Sequence, residues 1–156
     1  MFSIFHAPRQ YPEVYARYYD QFNFYEGRDV WLQSIADIPA KSVHLFCVHW
    51  LHLEVYNGGF SQYFYNSTST SAPEARDGFR AIGMEDVAAI VDDAMLMLGT
   101  PFPFEKAERE ALVGYTDDLL DFGKLDSAFY ELADTDKIFR RKPRFVDFAD
   151  AYALVG

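Results

Sequence analysis

The sequence predicts an all-α fold: one domain over residues 1–156, built as an irregular bundle of about seven to nine helices. Three observations lead there. Apolar side chains recur at steps of three and four along most of the chain, the repeat that lines one face of a helix. No segment alternates apolar and polar residues as a half-buried strand requires. Half of the 156 residues are hydrophobic and 18% are aromatic, with 15 Phe and 11 Tyr, so one core can close without disulfides or metal.

Pro12 suits a first helical turn, and Val14, Tyr15, Tyr18, Tyr19 and Phe22 then form a helical stripe in a region that Gly27 ends. A second helix is expected over residues 29–38, with Val30, Trp31, Ser34 and Ile35 on one side. It stops before Pro39, because a residue preceding proline avoids the helical region. Over residues 40–56, Val43, Phe46, Cys47, Trp50, Leu53 and Tyr56 mark a central helix buried along most of its length. Asn57, Gly58 and Gly59 tolerate positive φ and end it, leaving residues 60–65 as a short helix or a turn. The stretch STSTSAP, residues 67–73, reads as a polar connecting loop and the most mobile segment.

Beyond that loop come a short helix over residues 73–81 and a longer one over 84–98, with Val87, Ile90, Val91, Ala94, Met95 and Leu98 inward. GTPFPF is a rigid connection. Residues 105–115 and 126–133 form two further helices around a turn near Gly123, and Phe145–Leu154 is a terminal helix after Pro143. The chain shows no internal repeat of about 20 to 50 residues.

Composition bounds the function as well. Cys47 is the one cysteine and sits in the apolar run VHLFCVHWL, so a buried reduced thiol and a cytoplasmic location are expected. MFSIFHAPRQ has no basic stretch leading into a long apolar run and a cleavage site, and no apolar run is long enough for a membrane span. The net charge of −10 argues against nucleic acid or an anionic membrane as direct partner and leaves basic proteins. Charge is uneven: residues 73–136 hold 16 acids and 5 bases, so this block alone carries −11.

Catalytic patterns are weak. His49 and His52 share a face one turn apart, but His44 is rotated away, no HExxH is present, and Glu54, two residues past His52, points elsewhere. A metal-dependent enzyme using His49 and His52 is therefore the third reading, behind two binding functions. There is no GxSxG, Cys47 has no base at a recognisable spacing, and Asn57-Gly58-Gly59 follows a helix with no lysine nearby, unlike a phosphate loop. Adjacent acids such as Asp92-Asp93 and Asp117-Asp118 diverge on a helix. No enzyme activity and no cofactor are expected.

The stretch NGGFSQYFYN, residues 57–66, reads as a joint. Asn57, Gly58 and Gly59 break the helix, Phe60, Tyr63 and Phe64 pack the turn, and Gln62 or Asn66 can bond backbone groups that the break leaves unpaired. With the preceding LHLEVYN and the following EARDGFRAIGMEDVAAIVDDA, it resembles the signature of the bacterial DNA-mimic-protein-19-like family, over residues 51–94. The resemblance implies an acidic, mostly helical, dimeric protein that imitates double-stranded DNA and captures a repressor-type transcription factor.

The segment YTDDLLDFGKLDSAFYELADTD then supplies the acids for that role: Asp117, Asp118, Asp121, Asp126, Glu131, Asp134 and Asp136, against Lys124 alone. Carboxylates every third or fourth helical residue lie about 5 to 6 Å apart along the axis, sparser than the roughly 3.4 Å rise per phosphate of a DNA strand. A decoy need only meet the cations that contact the DNA backbone. The expected partner is a basic DNA-binding protein, with an immunity or anti-defence protein that neutralises a basic nuclease or toxin as the alternative. The basic run KIFRRKPRF, with Lys137, Arg140, Arg141, Lys142 and Arg144, pulls the other way and is expected to pair with the acidic block, within the chain or across a dimer, with a weak anion site as the alternative.

Overall fold

A computed structural model describes residues 10–114, 119–134 and 145–155. They form eight α-helices, within the expected number: α1 (Tyr11–Ala16), α2 (Arg28–Ile35), α3 (Ala40–Tyr65), α4 (Ala72–Ala81), α5 (Glu85–Leu98), α6 (Lys106–Val113), α7 (Gly123–Ala133) and α8 (Phe145–Leu154). Two 3-10 turns, Tyr19–Gln21 and Ser67–Ser71, complete the regular structure, and no strand occurs among the described residues.

α3 is the axis of the bundle, and α1, α4, α6, α7, α8 and the Ser67–Ser71 turn all pack on it. A helix covered on most sides must be apolar on most sides, and Leu45, Phe46, Cys47, Val48, Leu51 and Val55 are all buried. Phe22 stacks flat on Phe46 at 3.7 Å, Trp31 of α2 lies beyond it, and Tyr15 of α1 meets Phe46 edge-on at 5.5 Å. Cys47 is a free thiol in this core, and burial pushes its pKa well above the usual value. On α5 the six expected inward residues are all buried.

The structure departs from the sequence reading at four places. The first helix stops at Ala16; the chain passes through Tyr19–Gln21 and turns extended at Phe22, which brings that ring onto Phe46 where a continued helix would not. α3 does not end at Gly58-Gly59 but kinks there and continues to Tyr65. Gly123 is not a turn but the first residue of α7.

The fourth concerns STSTSAP, which is no exposed loop. Thr68, Ser69, Thr70 and Ser71 are buried, because most of the hydroxyls find local partners: Ser69 Oγ donates to the carbonyls of Phe64 and Asn66, and Ser71 Oγ to that of Thr68. Arg28 fixes the turn from outside by donating to the Thr70 carbonyl at 2.8 Å and to Glu74 Oε2 at 3.1 Å. Glu74 also accepts from the Trp31 indole, so one carboxylate ties α2, the turn and α4 together.

Candidate functional site

Polar side chains reach the surface in fixed positions in two places, the kink of α3 and the acids of the neighbouring helices. At the kink, Gly58 has φ −159° and ψ 24°, Gly59 has φ 73° and ψ −177°, and the helix then resumes. The Gly59 conformation is essentially confined to glycine, and a Cβ there would come within 2.5 Å of Asp126 Oδ2. The Phe60 amide instead donates to Asp126 Oδ1 at 2.8 Å, a charge-assisted bond that pins α7 to α3.

Inside the kink, Phe60, Tyr63 and Phe64 are wholly buried; Phe60 meets Phe129 edge-on at 5.7 Å and Phe64 meets Phe122 at 5.5 Å. Outside it, Asn57 Nδ2 donates to Gln62 Oε1 at 3.0 Å and Asn66 Nδ2 to Glu54 Oε2 at 2.7 Å. The box is a joint, with one correction. The carboxamides of Gln62 and Asn66 bond other side chains, and the backbone amide at the break is capped by Asp126, 66 residues away.

The far end of α3 is closed by Arg109, which the sequence reading did not single out. Its guanidinium, 1% exposed, donates to the carbonyls of Phe64, Asn66, Pro103 and Phe104 at 3.1, 3.4, 3.2 and 2.5 Å. A cation suits the carbonyl end of a helix, and burial lowers its pKa from the ordinary arginine value. The only signal in the sequence is an arginine one turn before Val113 on the inward stripe of α6. An open groove of about 660 Å³ runs over the kink, lined by Asn57, Gly58, Ser61, Gln62, Tyr65 and Asn66 together with Val113, Gly114 and Leu119.

A family model described as DMP19-like protein matches residues 36–152, three quarters of the chain. The chain belongs to the DMP19-like family. Comparison with curated proteins and with solved structures returned no match. The DMP19-like region holds the kink, Asp126 and Arg109 in one span.

Within it, four of the seven acids expected to face a partner lie among the described residues: Asp121, Asp126, Glu131 and Asp134. Asp117, Asp118 and Asp136 lie outside the described residues, as do Lys137, Arg140, Arg141, Lys142 and Arg144. Asp121 is exposed, with Oδ1 accepting from the Gly123 amide at 2.8 Å, and Glu131 is exposed with no ion pair among the described residues. Asp126 is half-buried and caps the kink through the Phe60 amide; burial raises its pKa, against the pull of that amide. Asp134 is half-buried, 3.6 Å from His52 Nε2, and adds to the burial that raises the Tyr56 phenol pKa.

The three described histidines of this DMP19-like chain point to three different contacts. His44 Nδ1 lies 3.1 Å from the Tyr152 hydroxyl, His49 Nδ1 lies 2.9 Å from that of Tyr11, and His52 is stacked between Tyr56 and Phe145. Among the described residues no group of three or more His, Cys, Asp or Glu could hold a metal ion. No helix among them is long and apolar enough to cross a membrane.

Further surface acids stand on α5 and at α6. Among the described residues, Asp86 and Asp93 on α5, and Glu105 and Glu108 at α6, are exposed and form no ion pair, whereas Glu74, Asp77, Glu85, Asp92 and Glu110 are paired with Arg28, Arg76, Arg80 and Lys106.

Proposed function

We propose that this DMP19-like protein is a non-enzymatic binding module, a cytoplasmic homodimer that imitates double-stranded DNA and sequesters a basic DNA-binding protein such as a transcription regulator. One observation carries the reading beyond family membership: among the described residues five acids share four cations in ion pairs, and more acids than cations remain outside such pairs. Arg28, Arg76, Arg80 and Lys106 are in ion pairs and Arg109 is buried, which leaves Arg17, Lys41 and Lys124, while Asp86, Asp93, Glu105, Glu108 and Glu131 stand exposed and form no ion pair among the described residues.

Those acids stand on helices anchored in a large aromatic core, so they meet a partner with little backbone freedom left to lose. Asp86 and Asp93, seven residues apart on one face of α5, are separated by about 10.5 Å along the axis, close to three phosphate steps of roughly 3.4 Å. Lysines and arginines that grip a DNA backbone need only negative oxygens at such intervals.

The test is capture of partners from the native host by tagged protein, with identification by mass spectrometry. A DNA-binding regulator displaced by double-stranded DNA supports the reading; a nuclease or toxin moves it to the neutralising alternative. In the triple variant Asp86→Lys, Asp93→Lys and Glu131→Lys, capture is expected to weaken about tenfold or more at low salt, with the gap narrowing as salt rises. Capture unchanged by the triple reversal would remove these acids from the interface.

A further inference from the structure

Tyr25 is the most exposed large apolar side chain of the described residues, at 74%, yet its backbone is held in place. Its amide donates to Asn23 Oδ1 at 3.0 Å and Asn23 Nδ2 donates to Glu26 Oε2 at 2.6 Å, so one carboxamide fixes the tyrosine and the glutamate side by side. The Asn23 amide donates in turn to Ser34 Oγ of α2 at 3.2 Å, and the flanking rings of Phe22 and Phe24 are packed in the core. A ring carried on such a turn loses little freedom when a partner covers it, and tyrosine is among the residues that dominate binding energy at interfaces.

The surroundings are acidic. Glu26, and Asp29 in the first turn of α2, are exposed and form no ion pair among the described residues. The cation between them in sequence, Arg28, is committed elsewhere: its guanidinium lies 4.5 Å over the Phe104 ring and bonds Glu74 and the Thr70 carbonyl. Arg28 thereby shows how this chain satisfies a guanidinium, with a ring under its face and a carboxylate at its edge. Tyr25 and Glu26 offer the same two groups, and among the described residues no cation lies over the Tyr25 ring.

We propose that this corner, Tyr25 with Glu26 and Asp29, docks an arginine of the basic protein partner. The inference rests on the reading of a basic partner and adds a point of recognition to it, one that precedes the DMP19-like span of residues 36–152. Arginine fits better than lysine. Its planar, weakly hydrated guanidinium stacks on an aromatic face and forks to a carboxylate at once, whereas an ammonium is a strongly hydrated point charge. A second copy of this chain is a poor occupant, because it carries a net charge of −10 and brings the same acids to the corner.

The experiment is titration of ¹⁵N-labelled full-length protein at low salt with the peptide Gly-Arg-Gly-Arg-Gly, capped at both ends, and with its lysine counterpart. Shifts centred on the amides of residues 24–29 are expected, with the arginine peptide bound about two- to fivefold more tightly. Tyr25→Phe is expected to keep that preference, and Tyr25→Ser to abolish it with an unchanged unfolding midpoint. Equal binding of the two peptides, shifts confined to α5–α7, or a preference that survives Tyr25→Ser would each overturn the assignment. So would a fall in the molar mass of Tyr25→Ser by light scattering, because a second copy would then be the occupant. The preference is read without the host partner, so its absence sinks the corner and leaves the acids of α5 and α7 as the interface. Failed capture from the host alongside a clear arginine preference sinks the DNA-mimic reading and supports the corner.

Discussion

α5 and α7 are neighbouring helices in contact, and Asp86 and Asp93 of the one are used differently from Asp126 of the other. On α5 the buried stripe is wholly apolar, Asp86 and Asp93 fall outside it, and both carboxylates stand in solvent. On α7, Asp126 falls three and seven residues before Phe129 and Ala133, on the buried stripe itself, and its carboxylate faces the broken backbone of α3. Position relative to the apolar stripe, not density of charge, separates an acid that can meet a partner from one that holds the fold.

The largest test of that contrast removes the space in which Asp126 is seated. Gly59→Val forces a β-branched residue to φ 73° and drives its Cβ into the Asp126 carboxylate, so a loss of about 3 kcal/mol or more is expected from chemical unfolding. Stability within about 0.5 kcal/mol of the parent would mean that the kink relaxes freely and that α7 is not fixed by it.

A smaller effect compares the two helices directly. Asp126→Ala leaves the Phe60 amide without its acceptor, and a loss of about 1–3 kcal/mol is expected. Asp93→Ala removes an exposed carboxylate with no ion pair and is expected to stay within about 0.5 kcal/mol. Equal losses in the two variants would erase the distinction between the helices.

Where burial follows the helical repeat, the sequence was a good guide. The six inward positions of α5 and the bounds of α8 follow from spacing alone. Three features depend on partners distant in the chain, and no local pattern encodes them. The two glycines mark a break, but whether the helix ends or kinks is settled by Asp126, which supplies the acceptor that lets the chain re-enter a helix. STSTS has the composition of a loop, yet its hydroxyls bond nearby carbonyls, and Arg28 and Glu74 close over it from other elements. Arg109 looks like one more surface cation until four carbonyls from two segments converge on it. Among the candidate acids, the run of charge in residues 115–136 was legible, but the inward turn of Asp126 required knowing what lies across from α7.

The finest test of the contrast is a pH profile. Burial raises the Asp126 pKa above the ordinary aspartate value, so the folded protein holds that proton more tightly than the unfolded chain does. The stabilisation from this group is therefore fully present below the unfolded pKa and is lost as pH rises through the folded one, a window that opens just above the usual aspartate range. Asp126→Asn keeps an oxygen that can accept from the Phe60 amide and carries no titrating charge. Its stability relative to the parent is thus expected to improve as pH rises through that window, measured by urea unfolding at a series of pH values. A flat difference for Asp126→Asn would mean that water reaches the carboxylate well enough to cancel its burial, and α7 would then be held by its aromatic contacts rather than by the buried acid.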